Sequence, residues 1–482
     1  MRVTFINPVL GGDYSALDIA ITTLATIINE RSHHKAKILD FTFHRRNWKE
    51  KLLKHLKHFK PHVVGFSTNR LYLNYIIQIS KEIKKFNPKI KIVYGGYHAS
   101  VEPLKTVKIK EVDYVFTGDV EDTIVEFLDR LESGRDLSKL KGLWYFDGNK
   151  LIHNPGAFFN DLDSLPFLDW DLWEDLDLYL YFLGMLYFIG TRGCVYNCVF
   201  CEAKEMRKKV NGNYYRVMSP KRFAQEMAYY WRKYKHRGLR LIQVFDQIPT
   251  MDYYWLKDLA YYYKKYVGNP KKHPFSFFSR IDHLDERKIK LLSEMGCNMV
   301  RVGVEAGDEK IRNEILQKNL PDKKLYEVFR LLKKYDIKTT AYYILGVPGE
   351  TKETITETIK VAKKLKADRS AFFIFKPFTP ESLELAIQYG GRIITSKANK
   401  ADNITFDAVI SYPNLSTRDI EKYQILAYAE TFLPRSWKII KKHKHKYFLW
   451  LLTYLINGIR YGLDLNYLIT YFHIYGYDII YY

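Results

Sequence analysis

Three of the four cysteines in this chain fall within one short segment, Cys194-Val195-Tyr196-Asn197-Cys198-Val199-Phe200-Cys201. Thiolates are soft ligands, and three so close together point to a shared metal centre. A structural zinc, or a four-iron cluster held wholly by protein, needs four ligands. No histidine or fourth cysteine adjoins these three, and Cys297 is remote in sequence. The set therefore leaves one coordination position open to a small molecule, as an iron–sulfur cluster or a catalytic zinc would use it. Cysteine this sparse excludes a disulfide scaffold, fits a reducing cytoplasm and argues against a second cluster.

Such a loop needs a rigid frame. From Leu186 onward, short apolar runs alternate with helix-length segments: 186–190, 241–245, 275–279, 299–304, 341–345 and 371–375. Strands separated by helices form parallel βαβ units, and six are too few to close an eight-stranded barrel. The pattern predicts a partial (β/α)6 barrel of the TIM type over residues 186–382, with the cysteine loop directly after its first strand. Ser219 before Pro220, and Asp285, read as helix N-caps. Upstream, the runs 3–6, 37–41, 63–66, 90–94 and 112–116 predict a Rossmann-like, doubly wound α/β sheet in residues 1–140. A hairpin around Asp147-Gly148 and an aromatic connector occupy residues 141–185. Residues 383–482 read as a mostly helical region.

The C-x3-C-x-aromatic-C spacing after a first barrel strand resembles the signature of radical S-adenosylmethionine (SAM) enzymes. The similarity continues along the barrel. Gly190-Thr191-Arg192-Gly193 resembles the family's lead-in, and Phe278-Ser279-Arg280-Ile281-Asp282 its third-strand motif. Gly296-Cys297 with Arg301-Val302-Gly303-Val304-Glu305-Ala306-Gly307 resembles the fourth-strand motif, and Gly346-Val347-Pro348-Gly349-Glu350-Thr351 the fifth. The resemblance implies that Cys194, Cys198 and Cys201 hold three irons of a [4Fe-4S] cluster whose fourth iron takes SAM. Phe200 would keep water from the cluster, and the backbone at Gly346 and Pro348 would approach the adenine. By the same analogy, Asp246 and Glu305 would bind the ribose hydroxyls or the amino group, and Arg280 the carboxylate. Cys297 is expected to be buried and inert.

The N-terminal sheet resembles the cobalamin-binding domain that precedes the barrel in a large radical SAM class. The matching pieces are Gly65-Phe66-Ser67-Thr68, Gly95-Gly96-Tyr97-His98 and Gly118-Asp119-Val120-Glu121, each at the C-terminal end of a predicted strand. Open α/β sheets bind ligands there. The resemblance assigns Ser67, Thr68, Gly95, Gly96, His98, Gly118 and Glu121 to cobalamin, with His98 at the corrin periphery. The D-x-H-x-x-G motif that supplies an axial histidine in methionine-synthase-like domains is absent. The implied reaction is reductive cleavage of SAM to a 5′-deoxyadenosyl radical, which functionalises an unactivated carbon, foremost by methyl transfer through methylcobalamin. Cyclisation or rearrangement without methyl transfer, and RNA modification, are the alternatives. An external electron donor of the flavodoxin or ferredoxin type is implied as partner.

The 482 residues carry 76 Lys+Arg against 54 Asp+Glu, a net charge of +22. These charges are spread along the chain and read as compositional bias rather than a nucleic-acid footprint. One stretch differs: the basic run 436–446 abuts Tyr447-Phe448-Leu449-Trp450-Leu451-Leu452. Basic residues beside Trp and Tyr suit a peripheral membrane contact and a lipid-like small-molecule substrate; a helical cap packed on the barrel is the plainer alternative. No stretch reaches the roughly 18 apolar residues of a membrane span. A cytoplasmic protein, at most peripheral to a membrane, is expected.

Overall fold

The computed structural model describes residues 1–10, 17–398 and 406–431, with isolated positions between 452 and 459. The chain forms two compact units. The first holds Met1–Tyr179 with Glu205–Arg216 and the described residues 458 and 459; the second holds Leu180–Lys204 and the described residues of Val217–Asn457.

In the first unit, β1 (Arg2–Asn7), β2 (Lys35–Asp40), β3 (Val63–Ser67), β4 (Lys91–Gly95) and β5 (Tyr114–Phe116) run parallel in the order β2-β1-β3-β4-β5. These strands are apolar almost throughout because helices cover both faces of a parallel sheet. Leu52, Ile76, Ile79 and Ile83 from the helices meet Val64, Ile92 and Val115 from the strands in a fully buried core. The chain reverses direction across the sheet at β1, which opens a crevice at the C-terminal ends of the strands.

The hairpin of β6 (Leu143–Asp147) and β7 (Lys150–His153) turns at Gly148. It is not a separate segment: β6 pairs antiparallel with β5 and extends the sheet to seven strands. A three-residue β5 left as an edge would expose unpaired N–H and C=O groups, and the hairpin takes them. The aromatic connector is likewise built into this unit. Trp170, Trp173 and Tyr179 are fully buried or nearly so. Trp173 Nε1 donates to Thr22 Oγ1 (2.9 Å), and the Tyr179 hydroxyl donates to Asp40 Oδ2 (2.8 Å).

The second unit contains β8 (Met185–Phe188), β9 (Leu241–Val244), β10 (Phe275–Ser279), β11 (Cys297–Glu305), β12 (Lys338–Leu345) and β13 (Arg369–Ile374). All are parallel and stand in strict chain order, the open partial barrel that six βα units predict. Ser219 caps helix Pro220–Tyr234 by accepting from the Arg222 N–H, and Asp285 caps Glu286–Glu294 by accepting from Lys288. Inside the sheet, Gln243 Oε1 accepts from Ser276 Oγ and Arg301 Nε, both at 2.7 Å, so a polar cross-link runs through the buried strands.

Beyond β13 come helix Pro380–Gln388, the short pair Arg392–Ile393 and Ile410–Ser411, and a helical run over 417–431. The basic-aromatic stretch 436–452 lies outside the described residues, save for Leu452. No helix among the described residues is long and apolar enough to cross a membrane.

Candidate active site

The chain leaves β8 through Gly190 and reaches Cys194 by way of Thr191-Arg192-Gly193. Asp246 Oδ1, at the end of β9, accepts from the Gly190 N–H (2.7 Å), and the Gly190 carbonyl accepts from Met218 (2.8 Å). Further along, Val199 donates to the Leu316 carbonyl (3.3 Å) and accepts from Thr379 Oγ1 (3.4 Å). The loop is thus pinned from four elements. Cys198 is buried, and Cys194 and Cys201 are half-buried.

Arg280, just past β10, meets this loop directly. Its Nη1 donates to Cys198 Sγ (3.4 Å), its Nη2 to the Lys318 carbonyl (2.7 Å) and its Nε to Asp282 Oδ1 (3.0 Å). The guanidinium carbon lies 3.6 Å from the centre of the Tyr196 ring. The Tyr196 hydroxyl in turn hydrogen-bonds His283 Nε2, and burial holds that imidazole below its ordinary pKa.

Glu305 ends β11 with φ +71°, beside a register irregularity at Gly303. A non-glycine residue in the left-handed region is uncommon and clusters at functional sites. The bulge aims its carboxylate at Lys318, whose Nζ donates to Oε1 at 2.5 Å. Both partners are buried, and a methyl group at Gly303 would overlap that carboxylate oxygen. Lys318 Nζ lies 6.0 Å from the centre of the Phe200 ring. Fully buried Arg312 fixes the intervening turn by donating to the carbonyls of Ala306 and Leu320, both at 2.8 Å.

Two carboxyls are sealed further in. Burial pushes Asp246 up to about 7 against the opposing pull of Gly190 and Thr191, and its Oδ2 completes no hydrogen bond. Burial pushes Glu350 up to about 8; its Oε2 accepts from the N–H groups of Gly346 (2.7 Å) and Val347 (2.9 Å), and Oε1 is unpartnered. Pro348 is buried in the same turn, and the Ile420 side chain fills the space a Gly346 side chain would need. Cys297 is buried, donates to the Met299 carbonyl and has its thiol pKa raised by burial, as expected of an inert thiol.

Contacts therefore join the cysteine loop to Arg280 and, through Lys318, to Glu305 and Phe200. Asp246 reaches the loop through Gly190, while Gly346 and Pro348 form their own turn at the end of β12. Sequence reasoning passed over Lys318, Tyr196, His283 and the turn-fixing role of Glu350. Tyr196 was within reach, inside the cysteine spacing itself. Lys318 follows Glu305 in a segment without periodicity, and only the π-helical turn Ile311–Ile315 brings it back.

In the first unit, Thr68 Oγ1 donates to the Gly95 carbonyl (2.7 Å) and accepts from Ala99 (3.1 Å), tying the ends of β3 and β4. Gly96 has φ +86°, and a Cβ there would lie 2.8 Å from the Thr68 nitrogen and 2.9 Å from Ser67 Oγ. Only glycine permits that approach. Nothing lies within 4 Å of where a Gly95 Cβ would point, so the backbone is open there. His98 is buried with Nδ1 unpartnered, and burial lowers its pKa. The Gly118 N–H donates to Ser100 Oγ (3.0 Å), Asp119 pairs with Arg216, and Glu121 is half-buried in the turn that follows.

A doubly wound sheet with an open glycine ledge and a six-stranded partial barrel with a three-thiol loop define an enzyme that positions reactive cofactors. Residues 188–362 match the Radical SAM superfamily and residues 9–128 the B12 binding domain. Together these matches span well over half of the chain, which carries both a radical SAM domain and a B12-binding domain. It is 26% identical over 422 residues to an uncharacterized methyltransferase of Pyrococcus horikoshii, covering 86% of this chain and 87% of that protein. It is 25% identical over 355 residues to the anaerobic magnesium-protoporphyrin IX monomethyl ester cyclase of Cereibacter sphaeroides, covering 70% of this chain but 55% of that protein. Among solved structures, the radical SAM methyltransferase TsrM from Kitasatospora setae, with cobalamin and a [4Fe-4S] cluster bound, matches with TM-score 0.67 at 19% identity, over 88% of this chain and 84% of TsrM. The cobalamin-dependent radical enzyme OxsB matches with TM-score 0.63 at 17% identity, over 87% and 57%. These structural likenesses concern the fold.

The cofactors of the family are a [4Fe-4S] cluster, SAM and cobalamin, and the residues present fit them. Burial, with the neighbouring sulfurs, pushes the Cys201 thiol up to about 12, so the loop needs a metal to hold its sulfurs as thiolates. The unpartnered Asp246 and Glu350 oxygens offer acceptors for SAM, and the open backbone at Gly95 offers a ledge for cobalamin.

Proposed function

We propose that the protein is a methyltransferase that places a methyl group from SAM, by way of cobalamin, on an unactivated carbon of a hydrophobic, lipid-like substrate. The observation that carries this reading is the presence in one chain of the three-thiol loop after β8 and the glycine ledge at Gly95 and Gly96. When bound, the cluster with SAM supplies a carbon-centred radical and cobalamin supplies a methyl group. The chain's own residues hold and shield. Cys194, Cys198 and Cys201 bind irons, Arg280 donates to Cys198 Sγ, and Phe200 excludes water. Glu350 fixes the Gly346-Val347 turn, and Thr68 fixes the ledge.

Likeness to a methyltransferase over most of both chains supports methyl transfer. Likeness to a cyclase favours a second reading, ring closure without methyl transfer. The basic and aromatic order of residues 436–452 supports the hydrophobic substrate and a peripheral membrane contact. A flavodoxin- or ferredoxin-type protein is the proposed electron donor.

The test is anaerobic reconstitution with iron, sulfide and cobalamin, then methyl-labelled SAM and reductant. Methyl transfer releases S-adenosylhomocysteine with 5′-deoxyadenosine; ring closure releases 5′-deoxyadenosine alone. Cys198→Ala is expected to lose cluster absorbance and SAM cleavage together. A wild-type protein that forms no 5′-deoxyadenosine would overturn both readings.

A further inference from the structure

One cluster outside these sites has the composition and spacing of a metal centre. His33 and His34 stand between helix Ile19–Arg31 and β2, and Asp129 and Glu132 lie on helix Ile124–Ser133. One donor atom from each of His33, His34 and Asp129 lies within 4.8 Å of the other two. His34 Nε2 is 3.0 Å, and His33 Nδ1 3.9 Å, from the same Asp129 oxygen. His33 Nε2, on the far side of its ring, is 2.6 Å from Glu132 Oε2. The other Glu132 oxygen accepts from the Met1 amino group (2.9 Å), whose nitrogen is 2.5 Å from His34 Nδ1. The His34 side chain is fully buried, while that of His33 is 64% exposed.

We propose that His33, His34 and Asp129 bind one divalent transition-metal ion of the zinc class, with Glu132 orienting His33. Two imidazoles and one carboxylate are the donors such ions prefer, and three protein ligands leave a position for water. Bonds of ~2.0–2.1 Å in a tetrahedron put ligand atoms about 3.4 Å apart, between the two distances measured here. Metal-bound histidines characteristically give their second ring nitrogen to a carboxylate, as His33 does to Glu132. His34 hydrogen-bonds that Asp129 oxygen, but His33 Nδ1 at 3.9 Å is beyond hydrogen-bond reach of it, so one imidazole nitrogen faces the carboxylate across a gap that hydrogen bonding does not fill. The ion would clasp the last helix of the parallel sheet to the turn that enters β2, an edge strand. None of this depends on the chemistry proposed for the cysteine loop.

The experiment uses full-length protein with its iron–sulfur cluster loaded, which occupies the cysteines. The protein is incubated with zinc chloride and desalted, and zinc and iron per chain are measured together with the melting temperature. Wild type is expected to retain about one zinc and to melt higher with it. His33→Ala and Asp129→Asn are expected to weaken zinc binding at least ~30-fold, and Glu132→Gln ~10-fold, with iron content unchanged. His33 is exposed, so His33→Ala tests the site without disturbing the core, and its zinc-free melting temperature checks the fold. Zinc retained equally by wild type and His33→Ala, or by neither, would overturn the proposal. A failed cluster would appear as lost iron, not lost zinc.

Discussion

The first sheet ends its strands in Ser67, Thr68, Gly95, Gly96 and Gly118; the second ends its strands in Asp246, Arg280, Glu305 and Glu350. In both, the candidate residues stand at the C-terminal ends of parallel strands, yet the first presents backbone and hydroxyls where the second presents charge. On the proposed function, the difference follows from what each end would seat. A large ligand is held by close backbone approach, and every added side chain would push it away. A small charged ligand is held by side chains, and a buried charge is costly unless it has partners beforehand. In the second unit those partners are visible: Lys318 for Glu305, Asp282 for Arg280, and backbone N–H groups for Asp246 and Glu350.

The largest expected effect breaks that compensation. Lys318→Met leaves Glu305 buried without its cation, and removing one partner of a buried pair costs about 3–5 kcal/mol. Denaturant unfolding should show the loss, and adding Glu305→Gln should recover most of it. A neutral Lys318→Met would mean that the charges of the second sheet are not stabilised in pairs. Next comes the ledge of the first sheet. Gly96→Ala puts a Cβ against Thr68 at a left-handed backbone, costing roughly 1–2 kcal/mol from φ alone. Cobalamin retention should fall while iron content stays at the wild-type level. Gly95→Ala meets no protein atom, so it should weaken cobalamin retention without loss of stability. A stable Gly95→Ala protein that retains cobalamin fully would show that the ledge is not where the cofactor sits.

Arg280 sharpens the contrast from the other side. A cation that donates to a cysteine sulfur stabilises the more negative, reduced cluster. Arg280→Gln should therefore lower the cluster's midpoint potential by on the order of 60 mV, the one-electron equivalent of a hydrogen bond worth about 1.4 kcal/mol. Redox titration followed by electron paramagnetic resonance reads this without any substrate. An unchanged potential with weaker SAM binding would instead return Arg280 to the carboxylate role that its motif implies.

What was legible in the sequence divides along the same line. The six barrel strands could be read because strands buried on both faces are short continuous apolar runs, and Phe275–Ser279 is found as predicted. The cysteine loop was legible because its chemistry lies in residue type and local spacing. The hairpin turn at Gly148 was legible, but its pairing with β5 is a non-local event that no local pattern encodes. The connector read as a linker because Trp173 and Tyr179 find their partners, Thr22 and Asp40, far back in the chain. Arg280 could be recognised as a cation; that Tyr196, Asp282 and the Lys318 carbonyl already engage it is information only the fold holds.

The last of the expected effects tests how tightly the second sheet's end is sealed. Asp246 binds its proton up to about pH 7 in the folded chain, against an ordinary value of 3.8. The unfolded chain releases that proton first, so stability falls as pH rises from about 4 to about 7 and is level above that. The loss at pH 8 is on the order of a few kcal/mol, ~4 at the upper bound. Asp246→Asn keeps a carbonyl oxygen for the Gly190 N–H but cannot ionise, so it removes this slope. Glu350, pushed up to about 8, adds a slope of the same sign that the variant retains. The melting temperature of Asp246→Asn should therefore exceed that of wild type by a margin that widens from about pH 4 to about pH 7 and is level above that. Parallel curves would mean that Asp246 ionises as an ordinary carboxylate, and that the end of β9 is open to water before any ligand arrives.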